Sequence, residues 1–156
     1  MTRSRLRYER DPQAIYAESF ATVAREARLD RFEPGMARIA TRVVHACGMV
    51  EVADRLAFSD DVFARTFAAL QQGAPILCDC EMVASGITRR FLDKSEVCVT
   101  LNDPRTPDLA RDLATTRSAA AVEFWRDQIE GAVVVIGNAP TALFHLLERL
   151  DDGWPK

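Results

Sequence analysis

Only two histidines occur in the 156 residues. One of them, His45, sits in Thr41-Arg42-Val43-Val44-His45-Ala46-Cys47-Gly48-Met49-Val50-Glu51. An imidazole titrates near pH 6.5, so it gives or takes a proton close to neutrality. The segment reads as the middle of an amphipathic helix running from Glu33-Pro34 to about Asp54. On such a helix Thr41, Arg42, Gly48 and Met49 lie three or four residues from His45 and share its face. Cys47 is two residues on and points away, which excludes a Cys-His dyad within the helix. No carboxylate stands three or four residues off, which excludes an Asp-His pair there. A glycine inside a helix costs about 1 kcal/mol against alanine, so Gly48 suggests close approach by another backbone or a ligand beside His45. The plainer alternative for His45 is a histidine packed at the edge of a core.

Other polar residues offer weaker chemistry. Ser19 lies near the apolar side (Ile15, Phe20, Val23, Ala27) of a helix predicted from Pro12 to Ala27, with Asp11 as its cap. It reads either as a site residue or as a surface serine. Asp79 and Glu81 are either a carboxylate pair or strand-end caps. Two helix starts, Thr115 to Ser118 and Gly137 to Thr141, have the free N–H groups and dipole that bind anions. Arg117 sits in the first turn of one of them, where a cation opposes the dipole. Its fork suits a carboxylate or phosphate; the alternative is a surface ion pair. His145, amid Leu143, Phe144, Leu146 and Leu147, reads as a boundary residue. Cys47, Cys78, Cys80 and Cys98 form no C-x-x-C pair and have no histidine at zinc-site spacing, so neither a metal nor a disulfide is expected. No P-loop, G-x-G-x-x-G or G-x-S-x-G is present.

The elements that must hold these residues follow from apolar patterning. Ala74 to Asp79, Val97 to Leu101 and Gly131 to Ile136 are continuous apolar runs, the pattern of strands buried on both faces. Helices separate them. A helix from about Ser59 to Gln72 should bury Val62, Phe63, Phe67 and Leu70, with Gly73 closing it. The order predicts an α/β fold with a parallel sheet, in a single domain over residues 1–156. The formal net charge of −3 argues against a general nucleic-acid surface. No apolar run is long enough for a membrane span. The basic N-terminus lacks a signal-peptide core. A cytoplasmic protein is the simplest expectation.

Taken together, the segments resemble the precorrin-8X methylmutase family (precorrin isomerase) of cobalamin biosynthesis. The resemblance is carried by Arg7-Tyr8, Asp11-Pro12, Ile15 and Ser19-Phe20, and by Val44 to Glu51. It continues through Gly73 to Asp79, Met82-Val83, Gly86 and Thr88, Thr116 to Ala121, and Ile136 to Leu143. It implies a Rossmann-like parallel sheet flanked by helices, working as a homodimer. It also implies a reaction: migration of a methyl group from C11 to C12 of precorrin-8X or cobalt-precorrin-8, giving hydrogenobyrinic acid or its cobalt-containing counterpart, with no cofactor. In that reaction His45 would donate and accept the proton. Ser19 matches a substrate-contacting position. Thr88, Arg117, Ser118 and Asn138 lie in matching motifs as further substrate contacts. The ligand would be a flat, largely apolar macrocycle rimmed by carboxylates. Family members normally continue with a further Gly-rich strand and helix beyond the position of Lys156. Two other functions fit the residues less well: a non-catalytic corrinoid-binding module, and a phosphoanion enzyme using Gly137 to Thr141.

Overall fold

A computed structural model describes residues 6–155; the basic run at residues 1–5 and Lys156 lie outside the described residues. The chain forms two compact units, Met1–Ala64 and Arg65–Lys156.

The first unit is helical. α1 (Pro12–Glu26) starts where Asp11 accepts a hydrogen bond from the Gln13 N–H at 3.0 Å, with Pro12 at the first helical position. α2 spans Pro34–Cys47. Met36, Ala40 and Val44 recur at four-residue spacing, so they form one stripe on α2. That stripe packs with Val23 of α1, Ala27 just past its end, Phe32, and Ala53 of the short α3 (Val52–Arg55). The two arms of this core are tied below by Arg31, which donates to the Asp54 and Leu56 carbonyls at 3.4 and 3.1 Å.

One sequence expectation is corrected here. α2 stops at Cys47 instead of running on to Asp54. Gly48 takes a left-handed φ of 69°, and its N–H donates to the Val44 carbonyl at 2.8 Å. A Cβ added there would meet nothing within 4 Å. Glycine is therefore used for its backbone freedom at a helix end, not for a close contact, and His45 stands in the last turn of α2.

α4 (Val62–Gln71) is followed by Gly73 at φ 81°, as the sequence suggests. Its Phe67 is 56% exposed, against the expectation of burial.

The second unit holds a three-stranded parallel sheet in the order β2-β1-β3, from β1 (Ile76–Cys78), β2 (Val97–Val99) and β3 (Val133–Val135). Leu77 pairs with Cys98 on one side and Val134 on the other. Being central, β1 is buried on every residue, which is why its sequence shows no alternation. α5 (Glu81–Gly86) leads on from β1, and α6 (Thr106–Asp112) follows β2. α7 (Arg117–Val122) continues as a 3-10 turn through Trp125, and α8 (Pro140–Asp151) follows β3. The predicted class, a parallel sheet flanked by helices, is the one observed. Ala119, Ala120, Ala121 and Val122 are all buried; their small side chains let both α6 and α8 pack on α7. Trp125 and Trp154 close the core with Leu77, Ala142 and Leu146.

Candidate active site

His45 is placed by its neighbour. Val44 is only 2% exposed, and this apolar anchor fixes the rotation of α2. The next residue is turned about 100° round the helix axis, which leaves His45 half-buried at the edge of the core. There it meets α1. Ser19 Oγ lies 2.7 Å from His45 Nδ1. The Phe20 ring meets the imidazole edge-on with centroids 5.2 Å apart, and the Tyr16 ring lies tilted at 5.5 Å. Tyr16, Ser19 and Phe20 share a face of α1 by their three- and four-residue spacing. The imidazole is thus hydrogen-bonded at Nδ1 and bracketed by two rings. Its other nitrogen, Nε2, has no protein partner among the described residues.

A cavity of about 430 Å³ opens at this pair, lined by Ser19, Val23, Val44, His45 and Gly48 among others. Ile15, placed on the apolar side of α1 by its sequence, is 46% exposed and lines the cavity instead of the core. Thr41 is withdrawn, since its hydroxyl donates to the Ala37 carbonyl of its own helix at 2.8 Å.

The partner of His45 is 26 residues away in sequence. Spacing within α2 could exclude nearby carboxylates but could not name Ser19 as that partner. Nothing in the residue types or spacing of Tyr16, Glu18, Thr22 and Glu26 marks them as candidates. The only signal for them was their position on the Ser19 side of α1.

The remaining candidates lie in the second unit. Arg117 reaches back to the loop after β2, donating to the Leu101 carbonyl at 3.2 Å and to Asn102 Oδ1 at 3.3 Å. That loop is braced by Asp103. Its carboxylate takes the Arg105 guanidinium side-on, which holds its carboxyl down at about 2. Ser118 follows Arg117 in the first turn of α7 and is half-buried, while Thr88 is exposed just before the 3-10 turn at Arg89–Phe91. Thr116 caps α7 through Ala119 N–H and shares a 2.8 Å hydrogen bond with the Thr141 hydroxyl.

Asn138 is exposed, and its backbone N–H is already engaged. Asp79, 3% exposed at the end of β1, accepts from the N–H groups of Gly137, Asn138 and Ala139 at 3.3, 2.9 and 2.7 Å. The start of α8, read from sequence as an open anion site, is filled by the protein's own carboxylate. Of the two readings of Asp79, the strand-end cap is the observed one, and the phosphoanion function loses its site. His145 is half-buried and bonds Glu123 at 2.6 Å, in keeping with a boundary role. Among the described residues no three His, Cys, Asp or Glu side chains gather as metal ligands. No helix there is long and apolar enough to cross a membrane.

The chain is similar to known proteins over most of its length. A family model described as precorrin-8X methylmutase matches residues 14–156, and so spans both units. The precorrin-8X methylmutases of a Sinorhizobium species and of Pseudomonas aeruginosa are each 55% identical over 150 residues. Those alignments take in 96% of this chain and 71% and 72% of theirs. A solved structure of precorrin-8x methyl mutase from Thermus thermophilus superposes with a TM-score of 0.80 at 36% identity, over 92% of this chain and 71% of that one. The chain belongs to the precorrin-8X methylmutase family, a family of isomerases.

Proposed function

We propose that this chain is a precorrin-8X methylmutase of cobalamin biosynthesis, moving a methyl group from C11 to C12 of precorrin-8X or cobalt-precorrin-8. The product is hydrogenobyrinic acid or its cobalt-containing counterpart. The observation that carries the reading is the Ser19–His45 pair set in the wall of an open cavity of mixed apolar and polar lining.

The migration is intramolecular. No group leaves and no electrons are gained or lost, so the protein's task is to hold the right tautomer of the macrocycle and move a proton. His45 Nε2 gives that proton to the ring system and takes one back. When Nε2 gives its proton away the neutral ring keeps its hydrogen on Nδ1, and when Nε2 takes a proton back Nδ1–H is still there. The Ser19 hydroxyl oxygen accepts from Nδ1–H in both states, so the imidazole keeps one orientation and one tautomer through the cycle.

Loss of Ser19 therefore loosens the ring without removing the base. Ser19→Ala is expected to lower kcat about 10- to 100-fold with product affinity preserved, because small misplacement of a catalytic group is costly. Ser19→Thr should recover most of that loss. A rise in KM with kcat unchanged would place Ser19 on the substrate and not behind His45.

Thr88, Arg117, Ser118 and Asn138 are proposed as contacts to the carboxylate rim, on the strength of the family motifs they stand in. A homodimer, a cytoplasmic location and a reaction without a cofactor belong to the same proposal. Following the visible absorption of precorrin-8X mixed with the purified chain tests it. Catalytic conversion to hydrogenobyrinic acid is expected. Binding without conversion would leave a corrinoid-binding module, and no binding would overturn the assignment.

A further inference from the structure

The cavity at His45 carries an unexpected charge. Its lining includes two carboxylates, Glu18 and Glu26, and no lysine or arginine. Neither glutamate has a hydrogen-bond or ion-pair partner among the described residues. Both are exposed. They stand eight residues apart on α1, so they bracket a window of about 12 Å along the helix axis. Between them the wall is Ser19, Thr22 and Val23, and Ile15 lies just beyond Glu18. Arg25, itself outside the lining, donates to the Thr22 hydroxyl on this wall at 3.2 Å, so the two glutamates stand in excess by one charge. A ligand rimmed by carboxylates is met at the site of proton transfer by a wall that is net negative.

We propose that Glu18 and Glu26 set the register of the macrocycle: they turn its acid side chains away from the His45 cavity and admit only a stretch of its edge that bears none. The inference rests on the methylmutase reading above. The reacting C11–C12 stretch exchanges a methyl group, so an apolar, carboxylate-free edge is what must face Nε2. Rotated placements would bring an acetate or propionate between the two glutamates, and like charges at that range disfavour them. The two residues are positioning groups. They exclude wrong placements and touch no reacting atom.

This role has a kinetic signature that general charge repulsion does not share. Removing the barrier admits unproductive placements, which hold substrate without converting it. In Glu18→Gln/Glu26→Gln, kcat and KM should therefore fall together by about three- to tenfold, leaving kcat/KM unchanged. The dissociation constant for hydrogenobyrinic acid should fall by a similar factor. Imidazole NMR signals of His45 should show one bound set in the unchanged chain and additional sets in the variant. Glu130→Gln/Glu148→Gln, an equal charge change on exposed residues of the second unit, should alter none of these.

Two results would overturn the inference with the methylmutase reading intact. A fall in KM with kcat unchanged would mean the glutamates repel every placement alike, and a fall in kcat/KM would mean they support the fold or the chemistry directly. Failure of the unchanged chain to bind the product would instead overturn the methylmutase reading, and this inference with it.

Discussion

Replacing His45 with alanine should reduce methyl migration by about 10²- to 10⁴-fold, the usual contribution of a placed proton-transfer group, with hydrogenobyrinic acid still bound. The structure gives reasons for both halves of that result. His45 is half-buried and outside the core stripe of Met36, Ala40 and Val44, so its truncation opens no cavity in that core. The cavity wall keeps Ile15, Val23, Val44 and Val50, and these apolar surfaces can still hold a macrocycle. What disappears is the one imidazole in the cavity lining. Visible absorption would follow both turnover and binding. His45→Asn adds a control, since its amide can still hydrogen-bond Ser19 but cannot carry the proton. It should be as slow as alanine. Turnover within about threefold of the unchanged chain in either variant would remove His45 from the mechanism.

A large loss of stability should come from Asp79→Ala. Asp79 is almost fully buried, and its two oxygens accept three backbone N–H groups at the start of α8. Hydrogen bonds to a charged acceptor are worth about 1.5–3 kcal/mol each, and a buried donor left unpaired costs about 1–3 kcal/mol. The Gly137 bond is long and that residue is exposed, so the total expected is about 2–4 kcal/mol. Both tryptophans lie in the adjoining core with Ala139 and Ala142, so their fluorescence in urea reads the second unit directly. The midpoint should fall with an unchanged slope. A loss below about 1 kcal/mol would mean that water replaces the carboxylate readily. Asp79→Asn retains a single acceptor oxygen and should fall between the two.

The sequence was most legible where one physical rule dominated. β1 announced itself because a strand buried on both faces cannot alternate, whereas β2 and β3 carry the same continuous apolar run although, as the outer strands, they are only half-buried. α1 was marked at its start by Asp11-Pro12, and the parallel sheet followed from strands alternating with helices. The end of α2 was misread because glycine at 48 satisfies two rules. It is tolerated inside a helix at a cost, and it is favoured just past the end of one. Only the backbone angle decides between them. Phe67 was misread because a helical stripe says which residues share a face but not whether that face is covered. The Ser19–His45 and Asp79–Ala139 bonds could not be seen at all, because each depends on how separate elements meet. The start of α8 shows the consequence. Its dipole was legible, but the carboxylate that satisfies it comes from the residue just after β1, some 60 residues earlier.

Those two bonds also differ in what the chain must do to make them. Closing a loop costs entropy that grows as three-halves of RT times the logarithm of its length. The separations are 26 residues for Ser19–His45 and 60 for Asp79–Ala139, a difference of about 0.7 kcal/mol in favour of the shorter. The shorter loop also closes between two helices, where contacts are local and fast to form. The longer one must await a parallel sheet whose last strand begins at Val133. Synthesis runs from the N-terminus. The Ser19–His45 pair is therefore spelled out in full before the ribosome has made the first residue of β1.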